Sequence, residues 1–95
     1  MIWFTQLTTL RRIFYDLSHI TYIDLSRFDA SYVVDMSEMF YNCQNLKFIN
    51  MSNLNTSLVK YMISTFANCI SLEYLDLSNL DTKSVVIMEF MFFFL

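Results

Sequence analysis

Ninety-five residues make one small domain at most, and 56% of them are apolar, 18% aromatic and only 16% charged, with a net charge of -3. This balance excludes a disordered tail, which needs low hydrophobicity and high net charge. It also argues against a nucleic-acid partner, because six Lys+Arg against nine Asp+Glu leave no basic stripe. The chain has no Gly and no Pro, so glycine-rich phosphate loops are excluded and the usual turn residues are missing.

Met1 to Leu10 has no basic segment ahead of an apolar run and no small-residue cleavage site, so no secretory signal is expected there. Leu10, Phe14 and Leu17 then set an apolar spacing that returns at Met36, Phe40 and Cys43. Spacings of 4 and 3 predict one face of a short helix. Arg11-Arg12 reads as a solvated basic edge.

From Ile20 onward the chain repeats itself every 26 residues. ITYIDLSRFDASYVVDMSEMFYNC begins at Ile20, LKFINMSNLNTSLVKYMISTFANC at Leu46, and LEYLDLSNLDTKSVVIMEFMFFFL at Leu72. The recurring positions are mostly apolar. They run Ile20, Leu46, Leu72; Ile23, Ile49, Leu75; Leu25, Met51, Leu77; and Phe28, Leu54, Leu80. They continue with Val33, Val59, Val85; Met36, Met62, Met88; Phe14, Phe40, Phe66, Phe92; and Leu17, Cys43, Cys69, Leu95. One unit cannot bury such a set alone, whereas stacked units can.

Within each unit, Leu46-x-x-Ile49-x-Met51 alternates at its end and predicts a short strand. Ser26-Arg27-Phe28-Asp29 and Ser52-Asn53-Leu54-Asn55 predict turns, with Ser, Asn and Asp side chains bonding nearby backbone in place of Gly and Pro. Val33-Val34 and Val85-Val86 predict a second extended piece. The expected fold is α/β: a right-handed solenoid of about 3.7 coils with a short parallel sheet and short helices. The expected domain is a single solenoid over 1–95, with units at about 1–19, 20–45, 46–71 and 72–95. The run from Val85 to Leu95 is apolar but only 11 residues long and holds Glu89, so it is too short to span a bilayer, which takes about 20 residues. Solenoids normally end in polar caps. Met1-Ile2-Trp3-Phe4 and Phe92-Phe93-Phe94-Leu95 are not polar, so the expectation is a fragment of a longer array, or self-association through uncapped end coils.

The combined string M-F-x-x-C-x-x-L-x-x-L-D-L-S resembles the leucine-rich-repeat class of BspA-like bacterial surface proteins, with its 26-residue unit L-x-x-L-D-L-S-x-F-D-T-S-x-V-x-x-M-x-x-M-F-x-x-C-x-x-L. It is carried here by VVDMSEMFYNCQNL from Val33 and LEYLDLSNLDTKSVV from Leu72. Three positions depart from that unit. Asn42 and Asn68 stand where Gly is common, Thr65 where Met39 stands one unit earlier, and Leu95 where Cys is expected. These departures are expected to weaken the last helix turn. The resemblance implies a non-enzymatic repeat segment of a surface protein, at the cell surface or secreted, used for adhesion or protein binding to a protein ligand or host surface component.

The outward strand positions give the candidate binding residues. They are Tyr22, Phe48 and Tyr74 in one column and Asp24, Asn50 and Asp76 in the next. An aromatic ladder flanked by acids suits a protein-binding face, since Tyr is enriched at interface hot spots. Cross-strand packing within the sheet is the plainer reading of the same ladder. Thr21, Lys47 and Glu73 form a polar column in which Lys47 and Glu73 could pair. Asp29, Asn55 and Asp81 read as turn or cap residues, because recurrence with the unit is what a turn requires.

No catalytic, cofactor or metal residues are expected. Two Cys and one His do not complete a four-ligand zinc site. Cys43 and Cys69 should sit one unit apart inside the core, as free thiols acting as small hydrophobes. A Cys–His pair with His19 would need an open, electropositive setting for the thiol. An enzyme would also need a polar cluster outside the repeat. A purely structural spacer is the alternative function.

Overall fold

The computed structural model describes residues 7–92. Three short strands form: β1 at Tyr22–Asp24, β2 at Phe48–Asn50 and β3 at Tyr74–Leu75. All pair in parallel, in the order β1-β2-β3. Tyr22 faces Phe48, which faces Tyr74; Ile23 faces Ile49, which faces Leu75. Each partner lies 26 positions along the chain, so the repeat length sets the register. A second line of parallel single-residue bridges joins Thr9, Asp35, Tyr61 and Ile87. The result is a small sheet-containing domain.

Alternation places the strands. Ile23 and Ile49 point inward and are buried, while Tyr22 and Asp24 on either side are exposed. The expected second extended piece is reduced to those single bridges. Val33 and Val59 are buried, and their amides close tight turns onto the carbonyls of Ala30 and Thr56 at 2.9 and 3.0 Å.

The expected short helices do not form: the described residues contain none. The runs 11–16, 37–42 and 63–68 are successive turns instead. The reason is visible at Glu38 and Asn42, whose φ values are 56° and 62°. A right-handed helix needs φ near -60° at every residue. Arg12, Asp16, Ser64, Asn68 and Phe90 repeat the same departure. The hydrogen bonds follow suit. Amides of Met36, Glu38, Phe40 and Asn42 leave the segment and donate to carbonyls of Tyr61, Ile63, Thr65 and Ala67 at 2.8–2.9 Å. Only the intervening Met39, Tyr41 and Cys43 amides bond back within it, to Met36, Glu38 and Phe40, at 3.2–3.3 Å. Met36, Phe40 and Cys43 are still all buried. The 4-and-3 spacing therefore marked the buried face but not the backbone that presents it.

The same geometry corrects the expected effect of Asn42 and Asn68. Asn tolerates positive φ better than other non-Gly residues. Both residues also build a ladder, with Asn42 Nδ2 donating to Asp16 Oδ1 and Asn68 Nδ2 donating to Asn42 Oδ1.

The core lies between the sheet and the turn runs. Phe14, Phe40, Phe66 and Phe92 stack in one column, with centroids 5.6, 5.4 and 5.6 Å apart and planes within 9° of parallel. Such pairs contribute about 0.5–1.5 kcal/mol each beyond their area burial. Val33, Met36, Leu46, Val59 and Met62 complete the buried set. Among the described residues every buried side-chain nitrogen and oxygen has a hydrogen-bond partner. Thr65 Oγ1 donates to the Met36 carbonyl at 3.1 Å, and Ser37 Oγ accepts from the Ile63 amide at 3.2 Å. Met88 and Phe92, expected inside, are partly exposed at 41% and 43%, while Met91 between them is buried. Leu95, the expected end of the Cys column, lies outside the described residues, as do 1–6 of the first expected unit.

Candidate functional site

The outer face of the sheet carries the exposed aromatic ladder. Tyr22 and Tyr74 are 53% and 57% exposed, with Phe48 half-buried between them. The rings stack at 5.3 and 5.7 Å, with planes 3° and 11° from parallel. Face-to-face stacking has a chemical consequence. Both faces of Phe48 are covered, so a ligand meets its edge, which carries the positive end of the ring quadrupole.

Beside the ladder, Asp24, Asn50 and Asp76 close the turn that ends each strand. Each Oδ1 accepts from the amide two residues on, at Ser26, Ser52 and Ser78, at 2.9, 3.1 and 2.9 Å. The Ser26 amide, with the Ser26 hydroxyl, holds the Asp24 carboxyl below the usual range. The Ser78 hydroxyl, then its amide, does the same for Asp76. Both are therefore ionised at neutral pH. Asn50 separates them by two repeats, so no two carboxylates of this column are neighbours. The same placement recurs in Asp29, Asn55 and Asp81, which accept from the Ser31, Ser57 and Lys83 amides at 3.0 Å. These three are turn-closing residues, as their recurrence predicts.

Charged contacts cluster elsewhere. Arg11 and Arg12 reach Glu38 Oε1 at 3.5 and 3.2 Å, and the Arg12 guanidinium lies 5.1 Å from the Tyr15 ring centroid. Among the described residues, Lys47 and Glu73 form no ion pair within 4.0 Å. A further stacked pair, Tyr15 with Tyr41 at 5.2 Å, was not singled out from sequence. Its signal was two aromatics 26 apart, broken at Ala67.

Cys43 and Cys69 are free and buried. Their thiols donate to the carbonyls of Phe14 and Phe40 at 2.9 and 3.0 Å. Burial pushes the Cys43 thiol up and the Cys69 thiol up to about 12. A thiolate nucleophile is thus disfavoured at both positions. Among the described residues no group of three or more His, Cys, Asp or Glu could hold a metal ion, and no helix is long and apolar enough to cross a membrane.

Repeating 26-residue units, a parallel sheet with one partner per unit and an exposed aromatic ladder define a small repeat domain. The chain belongs to the family described as "Mycoplasma protein of unknown function, DUF285", whose model matches residues 8–94. Nothing matches it among curated proteins or among solved structures.

Proposed function

We propose that the chain is a leucine-rich-repeat-like right-handed solenoid of the BspA-like surface type, acting as a non-enzymatic protein-binding or adhesion module at the cell surface. The observation that carries this reading is the Tyr22–Phe48–Tyr74 column, three aromatic side chains kept on the solvent side of the sheet. Exposed apolar groups in contiguous rows mark interaction surfaces. Asp24, Asn50 and Asp76 form the polar margin of the same face. The buried, protonated thiols support a non-enzymatic role.

The test is a triple variant, Tyr22→Ser with Phe48→Ser and Tyr74→Ser. Biotinylated parent and variant chains are compared for binding to purified host extracellular-matrix proteins by biolayer interferometry. Circular dichroism shows that both are folded. Loss of parental binding supports the face as the site. Equal binding by a folded variant removes it.

A structural spacer is the second reading, favoured by one observation. The carboxylates of the face are already engaged in closing turns, and the rings already stack on one another. Under that reading the triple variant loses stability and nothing else.

A further inference from the structure

A second exposed face follows the line of single-residue bridges, away from the aromatic ladder. Val33, Val59, Met36 and Met62 turn inward there and have no exposed surface. The residues between and before them stay at the surface: Tyr32, Val34 and Asp35 in one repeat, Leu58, Lys60 and Tyr61 in the next. Tyr32, Leu58 and Tyr61 are 47%, 45% and 37% exposed. The register fixes who neighbours whom. Asp35 bridges to Tyr61, and the Val34 carbonyl accepts from the Lys60 and Tyr61 amides at 2.7 and 3.2 Å. Thr9 and Ile87 continue the bridge line on either side, so this strip is a flank of the stack and not an end of it.

The strip carries one acid and one base, and neither forms an ion pair among the described residues. Asp35 Oδ1 accepts from the Ser37 amide at 2.8 Å. The 26-residue register sets Lys60 beside Val34 and Tyr61 beside Asp35, so acid and base are offset by one repeat and one position. That offset is self-complementary. A two-fold axis lying in the face, along the chain direction and midway between the two repeats, lays each repeat on the other repeat of a second copy. Tyr32 then meets Leu58, the Lys60 stem meets Val34, and Asp35 meets Tyr61 with the Lys60 ammonium next to it. Each acid gains a base and a phenol hydroxyl, apolar groups meet apolar groups, and the symmetry makes every contact twice.

We propose that this face joins two copies of the chain in a two-fold dimer, Asp35 of each copy pairing with Lys60 of the other. In such an isologous contact the same patch serves both copies, so assembly closes at two. The lysine stem covers apolar surface while its ammonium reaches the carboxylate. Six residues a copy are few beside the roughly 20–30 a side of a stable interface, so the dimer is weak and forms only as concentration rises. The Tyr22–Phe48–Tyr74 ladder takes no part in it.

Sedimentation equilibrium of the chain, from micromolar up to about 1 mM, gives the test. The expected mass climbs toward twice the monomer's and goes no further. Lys60→Glu sets carboxylates opposite one another, Asp35→Lys sets ammonium groups opposite one another, and each weakens association by about tenfold or more. Mixed one to one, the two variants re-form both ion pairs and associate as the parent does. Circular dichroism checks that each folds, since Asp35 also closes a turn with the Ser37 amide. A cross-link that leaves both charges in place gives a second measurement. Under mild oxidation, a Tyr32→Cys chain mixed with a Leu58→Cys chain forms an interchain disulfide faster than Tyr22→Cys mixed with Tyr74→Cys. Should Asp35→Lys not fold, Lys60→Glu and the cross-link carry the test. A monomer at every concentration, a mass that passes the dimer, Lys60→Glu associating like the parent, a folded mixture that stays monomeric, or equal cross-linking rates would each overturn the proposal.

Discussion

Phe40 and Phe66 lie face to face, 26 residues apart in sequence, with ring centroids 5.4 Å apart and planes 9° from parallel. Neither side chain has any exposed surface. Each ring is stacked on both faces, by Phe14 and Phe66 for the first and by Phe40 and Phe92 for the second. Truncating either removes two stacking contacts and leaves a cavity. Phe40→Ala or Phe66→Ala should cost about 3–5 kcal/mol. Small domains have only about 5–15 kcal/mol in total, so thermal melts should show a large loss of folded chain at 37 °C. A shift of one or two degrees would refute the placement.

The turn runs carry strain where non-glycine residues have positive φ. Ser64, at φ 56°, is half-buried and its amide is held by the Glu89 carbonyl at 2.9 Å. A left-handed conformation costs a residue with a Cβ about 1–2 kcal/mol. Glycine removes that cost and adds about 0.5–1 kcal/mol of chain entropy. Ser64→Gly should therefore gain a few tenths of a kcal/mol, and Ser64→Val, β-branched at positive φ, should lose more than about 1 kcal/mol. Urea midpoints should rank Gly, Ser, Val from most to least stable.

The thiols make stability fall at high pH. The folded-state value for Cys69 is about 12 against an ordinary 9.0. The folded chain thus holds a proton that the unfolded chain releases. The stabilisation is whole below about pH 9 and is lost as pH rises toward 12. A difference measurement against a thiol-free variant isolates the contribution of Cys69. Unfolding free energy should drop less steeply between pH 9 and 11 in Cys69→Ala than in the parent. Equal slopes would contradict a buried, neutral thiol.

The aspartates set the acid limb with the opposite sign. Hydrogen bonds from Ser26, Ser31 and Ser78 lower the folded-state values of Asp24, Asp29 and Asp76. Their contribution is present above the ordinary value of 3.8 and is lost as pH falls below it. The urea midpoint should decline below about pH 4, and less so in Asp24→Asn, whose amide oxygen accepts the same bond at any pH. An unchanged acid limb in that variant would remove Asp24 from the account.

Asn50 keeps Asp24 and Asp76 apart. Asn50→Asp retains the acceptor for the Ser52 amide but brings a carboxylate next to each neighbour. Like charges opposite one another on adjacent strands destabilise by about 0.2–1 kcal/mol. The loss should appear at low salt and largely vanish near 1 M, where the Debye length is about 3 Å. A loss that ignores salt would point to a cause other than repulsion.

Much of this arrangement could be read from residues alone, for a physical reason. A repeat of fixed length with Phe at 14, 40, 66 and 92 can bury that column only by aligning it, and alternation around Ile23 and Ile49 leaves Tyr22 and Phe48 no side but the outer one. The helix expectation failed because a 4-and-3 apolar spacing is shared by a helix and by a run of tight turns. Asn42 and Asn68 carried a clue to positive φ, being residues that tolerate it. Glu38 and Ser64 carried none, since there the backbone is dictated by bonds to the neighbouring repeat. The Arg11–Glu38 and Arg12–Glu38 pairs likewise depend on side-chain reach between repeats, which column spacing does not encode.

The central claim is that consecutive 26-residue units lie side by side in register. Ring-to-ring NMR contacts in a chain labelled only at phenylalanine rings test it most directly. The predicted contacts are Phe14 with Phe40, Phe40 with Phe66 and Phe66 with Phe92, and none between Phe14 and Phe66. A Phe14–Phe66 contact, or silence between Phe40 and Phe66 in a folded sample, would contradict it.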